Sequence, residues 1–324
     1  MRKTFWIPLV VVLFVAAAFG DWVYEGQWGS DGHGAGQFHD PFGIGIAPTN
    51  GVVYIGDKGN FRVQYFTATG VYLGQWGSEG SGDGQLSLPE GVAVMPGSGN
   101  VYIADMNNNR IQYFTPTGSF LGKWGSYGWG NGEFDCPCWV AVTRGGKVYV
   151  TDYFHNRIEY FTAEGLFLGK WGTPGSGNGE FESPTGVAVA PGGNVYVADA
   201  GNHRIQYFTG NGSYLGRWGA EGSGNGEFAN LSAVAIAPGS GDVYVIDHGN
   251  YRVQYFTATG SFLGKWGSYG SGNGHFEGPV GLAFNLSGSR VYVSDFFTCR
   301  IQYFKWENAA VVPASLGRVK ALFK

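Results

Sequence analysis

Charge is scarce in this chain: Asp, Glu, Lys and Arg make up only 14% of its 324 residues, and the formal net charge is −4. That balance excludes the strongly basic face of a nucleic-acid groove and the polybasic cluster that holds a protein on an anionic membrane. Cysteine is nearly absent. Cys136, Cys138 and Cys299 are too few for the disulfide framework of a small secreted domain. Cys136 and Cys138 stand two apart, so on a strand they share one face, and buried thiols are expected rather than a mutual disulfide. No matching CxxC or His pair follows to complete a metal site. Cys299 is expected to be free. Long apolar runs are also missing: Phe5–Phe19 falls short of the ~20 residues a membrane helix needs.

That run follows Arg2 and Lys3 and ends in the small residues Ala18 and Gly20, so residues 1–20 read as a signal peptide, with an uncleaved anchor as the alternative. No cysteine follows the cut, which argues against a lipoprotein. Cleavage leaves 18 basic residues against 24 acids, a formal charge of −6. The expected address is extracellular or the cell envelope, the periplasm in a Gram-negative host.

What the chain has in abundance is glycine, 58 residues, and aromatics, 17%. Collagen and disordered linkers share the glycine but not the regular aromatic and β-branched runs. Those runs repeat. VYIGDKGNFRVQYF at Val53–Phe66 returns at Val101–Phe114, Val148–Phe161, Val195–Phe208, Val243–Phe256 and Val291–Phe304. The acids Asp57, Asp105, Asp152, Asp199, Asp247 and Asp295 follow one another at gaps of 48, 47, 47, 48 and 48 residues. Each of the six units parses into four short strands: an inner one such as Pro184–Val189, then VYVAD, RIQYF and SFLGKWG. A four-stranded antiparallel sheet repeated in this way is a propeller blade.

The ends predict closure. The sixth unit lacks its outer strand after Phe304, and Trp22–Gly29 (WVYEGQWG) supplies one. Tryptophans 28, 76, 124, 171, 218 and 266 keep the period across that join. The N-terminal strand is therefore expected to complete blade six, leaving only short outer edges and none of the polar caps of an open solenoid. The fold expected is all-β, a six-bladed propeller over residues 21–306, with a tail at 307–324.

The D-x-x-N-x-R-I-Q-x-F segment and the preceding P-x-G-V-A-V, in six copies over residues 21–304, resemble the NHL repeat family. The resemblance implies a six-bladed propeller used mainly as a binding platform, with some relatives acting as lyases and others binding RNA or protein. No RING, B-box or kinase segment accompanies the repeats.

Within each unit Asp and Arg bracket a tight hairpin: Asp57 and Arg62, Asp105 and Arg110, Asp152 and Arg157, Asp199 and Arg204, Asp247 and Arg252, Asp295 and Arg300. Asp and Asn set such turns through backbone amides, and arginine has donors for several carbonyls at once. Six copies at the blade period point to architecture, not catalysis. His155 and Thr298 replace the Asn in units three and six, the weakest matches. The Gly-rich linkers, such as Gly175–Phe181, lack the strand-to-helix context and the Lys-Ser/Thr pair of a phosphate loop.

Function is sought where blades differ. The x of P-x-G, near the central channel, is Phe42, Glu90, Cys138, Thr185, Ser232 and Val280. The pair after each turn Asp is Lys58-Gly59, Met106-Asn107, Tyr153-Phe154, Ala200-Gly201, His248-Gly249 and Phe296-Phe297. Trp139 replaces a glycine in blade three and Trp129 enlarges the linker before it. Trp139, Tyr153, Phe154, Phe296 and Phe297, with Met106 and Phe42, are expected to form an exposed interaction face for a protein, peptide or glycan. The alternative is that they tuck over the channel mouth as packing. Neither a cofactor nor a nucleic-acid partner is expected, and the propeller is expected to be monomeric. A metal-dependent lyase or lactonase is the lesser reading, with His39, Asp40 and Glu90 as its candidate ligands near one end. The six histidines lie in linkers or hairpin turns, where they do not converge on the channel. Asn211, Asn230 and Asn285 open glycosylation sequons. In the tail, Leu316, Val319, Leu322 and Phe323 would share a helical face.

Overall fold

The computed structural model describes residues 21–307, so the signal-peptide reading and the helical reading of the tail lie outside the described residues. Strand β1 (Asp21–Trp28) comes first and belongs to the last blade. Blade one holds β2 (Pro41–Ile46), β3 (Val53–Asp57), β4 (Arg62–Phe66) and β5 (Tyr72–Trp76). Blade two holds β6 (Pro89–Val94), β7 (Val101–Asp105), β8 (Arg110–Phe114) and β9 (Phe120–Trp124). Blade three holds β10 (Pro137–Val142), β11 (Val148–Asp152), β12 (Arg157–Phe161) and β13 (Phe167–Trp171). Blade four holds β14 (Pro184–Val189), β15 (Val195–Asp199), β16 (Arg204–Phe208) and β17 (Tyr214–Trp218). Blade five holds β18 (Leu231–Ile236), β19 (Val243–Asp247), β20 (Arg252–Phe256) and β21 (Phe262–Trp266). Blade six holds β22 (Pro279–Phe284), β23 (Arg290–Asp295) and β24 (Arg300–Glu307), completed by β1.

The expected closure is therefore what forms. β1 pairs antiparallel with β24, from Asp21 opposite Glu307 to Trp28 opposite Ile301. Arg290 fastens the join with a fork of hydrogen bonds, Nε to Glu25 Oε2 and Nη2 to Glu25 Oε1, both 2.6 Å.

Burial explains the composition of each strand. Second strands such as VYIAD are covered on both faces by neighbouring blades, so all five of their residues are buried. Outer strands such as FLGKW face solvent on one side and alternate half-buried with exposed. Inner strands run so close around the channel that a Cβ at Gly43 would overlap the Glu90 carbonyl oxygen, which is why glycine follows x in P-x-G.

The Asp-to-Arg hairpins are architectural. In blade two Arg110 Nε donates to Asp105 Oδ2 at 2.7 Å, and its Nη atoms donate to the carbonyls of Ser81, Gly82 and Gln85 in the preceding linker. Asn108 bridges both Asp105 oxygens and the Gly80 carbonyl. One guanidinium and one amide thus pin a Gly-rich linker to the turn. Four hairpins contain a 3-10 turn, while those of blades three and six, with His155 and Thr298, do not. His155 reaches Asp152 through Nδ1 at 2.9 Å, whereas Thr298 bonds only the Asp295 carbonyl at 3.4 Å.

Candidate functional site

Inner strands begin, and Asp hairpins end, on one face of the ring. That topology brings the x residues and the post-Asp residues to the same end of the channel. A cavity of about 350 Å³ opens there, lined by Phe42, Glu90, Cys138 and Thr185 from x positions, by Lys58, Met106, Tyr153 and Phe154 from hairpins, and by Cys136 and Trp139. A second hollow of about 250 Å³ adjoins it across Phe42 and Lys58, reaching His248, Ser232, Val280, Phe296 and Phe297.

The candidate aromatics are therefore gathered at the channel mouth, but they are not equally exposed. Phe154 and Phe297 are 57% and 64% exposed, while Tyr153, Phe296, Phe42 and Met106 are half-buried. Trp139 corrects the expectation of an exposed face, being only 6% exposed. In blade three Trp139, paired with Thr151, stands where blades one, two, four and six have glycine and blade five has Ala233. Its indole reaches toward Phe42 of blade one, with ring centroids 5.9 Å apart, and floors the cavity. Phe296 stands edge-on to Phe42 at 6.3 Å and to Phe297 at 5.1 Å.

Two charges sit in this apolar surround. Lys58 Nζ donates to Glu90 Oε1 at 2.6 Å, from the blade-one hairpin to the blade-two inner strand, and lies 4.9 Å from the Phe42 ring centroid. Burial holds the Glu90 carboxyl above the usual carboxylate range, and the ammonium of Lys58 pulls it partly back. Sequence reasoning placed both residues among the variable positions but missed their pairing. The signal was present, since Glu90 is the one charged x residue and Lys58 the one lysine after a turn Asp, in adjacent blades.

The thiols also depart from expectation. Cys136 is not on a strand face with Cys138: it precedes β10 in a left-handed conformation, φ 58°. Both nevertheless line the cavity, and all three cysteines are free. Burial raises the Cys136 thiol to about 11 and the Cys138 thiol well above its ordinary value, so both stay neutral at pH 7.

The candidate metal ligands are not assembled. His39 Nδ1 pairs with Asp31 at 3.2 Å, Glu90 is taken by Lys58, and no group of three or more His, Cys, Asp or Glu among the described residues is placed to hold an ion. His248 enters the second hollow, its Nδ1 3.0 Å from the Pro279 carbonyl oxygen.

Blade three, which supplies Tyr153, Phe154 and Trp139, is irregular beneath the surface too. Where other blades bury a glutamine it buries Glu159, whose Oε2 accepts from Gly132 N–H at 2.8 Å. Burial lifts this carboxyl to about 7, against the lowering pull of Arg157, whose Nη2 lies 2.9 Å away. Trp129, 67% exposed, lies over His155 with ring centroids 3.9 Å apart.

With this geometry in place, the comparisons are consistent. The NHL repeat family model matches residues 86–114 and 181–208, in blades two and four. The chain is thus a six-bladed β-propeller carrying NHL repeats. No curated protein matches the sequence. Among solved structures, the chain is similar to a catalytically inactive virginiamycin B lyase from Staphylococcus aureus with quinupristin, at 15% identity and TM-score 0.59, over 88% of this chain and 98% of that one. It is similar to a gluconolactonase from Xanthomonas campestris at 14% identity and TM-score 0.63, over 89% and 98% of the two chains. A streptogramin B lyase gives 13% identity and TM-score 0.60, over 90% and 99%. At these identities the likeness is one of fold. Among the described residues no helix is long and apolar enough to cross a membrane.

Proposed function

We propose that this protein is an exported, monomeric binding scaffold that takes up an apolar or aromatic group of a protein, peptide or glycan at the channel mouth. The observation that carries this reading is the cavity itself: aromatic walls from blades one and three and a single buried ion pair, Lys58–Glu90, from blades one and two. Apolar walls with a few fixed polar groups are the usual make-up of a ligand pocket. Phe154 and Phe297 offer apolar surface to an incoming partner, and Lys58 and Glu90 offer one donor and one acceptor to orient it. Peptide and glycan arrays probed with wild type and with Tyr153→Ala/Phe154→Ala test the reading. Discrete ligands lost in the variant support it, and an array without ligands contradicts it.

The likeness of fold to streptogramin lyases and a gluconolactonase motivates a second reading, a metal-dependent lyase or lactonase. The residues present do not fit a bound ion, because Glu90 is engaged by Lys58 and His39 by Asp31. Metal content of the purified protein, with melting recorded with and without chelator, separates the two. The scaffold reading expects no stoichiometric metal and an unchanged melt. One tightly held ion per chain and a chelator-sensitive melt favour the enzyme.

A further inference from the structure

The two irregular hairpins carry the two aromatic pairs, and they stand opposite each other. Only in blades three and six does the hairpin lack both the motif Asn and the 3-10 turn, and only there are both residues after the turn Asp aromatic, Tyr153-Phe154 and Phe296-Phe297. Inner strands neighbour one another in chain order, from β2 through β6, β10, β14, β18 and β22 back to β2, so blade six faces blade three across the channel. Between them the rings form a track. Phe297 meets Phe296 at 5.1 Å, Phe296 meets Phe42 at 6.3 Å, and Phe42 meets Trp139 at 5.9 Å, with successive planes turned by 59–90°. Trp139 then shares the main cavity with Tyr153 and Phe154, whose rings lie 4.9 Å apart. The two hollows, joined at Phe42 and Lys58, thus make one aromatic groove across the mouth, with the exposed rings of Phe297 and Phe154 as its end posts.

On the reading that the channel mouth is the binding site, we infer that its occupant is a neutral β-1,4-linked glycan with equatorial hydroxyls, laid along the track from blade six to blade three. Equatorial linkages at both ends of each sugar keep such a chain extended, and they leave its axial C–H groups on the two flat faces. Those faces suit aromatic rings, whose π faces are electron-rich. The hydroxyls around the sugar edge need the opposite, fixed donors and acceptors, and the groove supplies them beside the rings. Thr185 and Ser232 each donate to a backbone carbonyl and keep oxygen lone pairs for a sugar hydroxyl. Lys58 spends one ammonium proton on Glu90 Oε1, leaving two donors and a second carboxyl oxygen at the pair.

Two features favour a sugar chain over a peptide. A peptide that added itself to an inner-strand edge would use backbone carbonyls there. Those of Leu231, Val280, Pro279 and Phe42 already accept from Thr185, Ser232, His248 Nδ1 and Ser294. Charge gives the second. Lys58 and Glu90 are the only side chains of fixed charge lining either hollow, and they neutralise each other, so the groove has no excess charge to select an acidic or basic ligand.

Calorimetric titration with disaccharides and hexasaccharides of β-1,4-linked glucose, xylose and N-acetylglucosamine tests this. At least one hexasaccharide should bind, at least tenfold more tightly than its own disaccharide, because only the longer chain reaches both end posts. Phe154→Ala and Phe297→Ala should each weaken that hexasaccharide at least threefold. Leu286→Ala, an exposed apolar residue in the turn between β22 and β23 at the far end of the channel, should leave it unchanged. Equal affinity for the two lengths, or an unchanged Kd in both end-post variants, overturns the track. Absence of binding by all three hexasaccharides overturns the glycan. If an array peptide is then bound and is lost in Tyr153→Ala/Phe154→Ala, the channel mouth stands as a peptide site; if no ligand is found there, both readings fall.

Discussion

Lys58 and Glu90 meet 2.6 Å apart across the boundary between blades one and two, with side chains only 19% and 7% exposed. Neither charge is comfortable alone there, since a buried ion pair broken on one side costs about 3–5 kcal/mol. Lys58→Met should therefore destabilise the fold strongly at pH 8. The cost should shrink toward pH 5, because Glu90, already raised by burial, protonates once its partner is gone. Urea unfolding at both pH values checks this; a cost equal at both would mean Glu90 is not buried as described.

Glu159 predicts a pH dependence of opposite origin. In four other blades a glutamine Nε2 donates to the turn Asp at 3.0 Å and to a linker carbonyl at 2.6–2.8 Å. A carboxylate cannot donate. Its folded pKa of about 7 lies above the ordinary 4.5, so the protonated acid favours the folded state below pH 4.5, and that contribution is lost as pH rises through 7. Glu159→Gln should leave stability unchanged near pH 4.5 and raise it by about 1–3 kcal/mol at pH 8, the usual cost of a buried polar atom without its partner. Melting curves across that range give the answer.

The aromatics of the channel mouth should divide into two classes. Phe154→Ala and Phe297→Ala remove exposed rings and should shift stability by no more than ~0.5 kcal/mol. Trp139→Ala opens a hole at the floor of the cavity and should cost about 3–5 kcal/mol. Denaturant midpoints should separate them cleanly, and a neutral Trp139→Ala would return that residue to the exposed face.

Arg204→Ala should be among the most damaging changes far from the channel. Its guanidinium joins Asp199 to the carbonyls of Ser176, Gly177 and Glu180 at 2.6–3.0 Å. Removal leaves Asp199 buried and unpaired, at about 3–5 kcal/mol. Arg204→Lys should recover little, since one ammonium cannot span the same carbonyls. A lowered melting temperature with ligand binding intact below it is the expected result.

How much of this was legible in the sequence follows from period. The strands, the hairpins and the closure through Trp22–Trp28 repeat every 47 or 48 residues, and repetition turns weak local signals into a definite fold. The site carries no period. That Phe42 and Trp139, 97 positions apart, face each other across the channel depends on the diameter of the ring, which no spacing encodes. The burial of Trp139 depends on its meeting Phe42 at the channel. The left-handed turn at Cys136 does recur, at Asp40, Leu88, Ser183 and Asn230, but left-handedness is not written in residue types so varied. Glu159 was visible as RIEYF among RIQYF and RVQYF, but its protonation follows from burial and is not a property of the letter.

The central claim is that a ligand enters the channel mouth, and blocking that mouth tests it most directly. Met106 is half-buried at the cavity edge on a hairpin turn, so Met106→Arg should fill the opening without disturbing a strand. Calorimetric titration of the tightest array ligand into wild type and Met106→Arg is the measurement. At least a tenfold weaker Kd in the variant, with the same melting temperature, is the predicted result. An unchanged Kd would place the binding surface elsewhere and contradict the account.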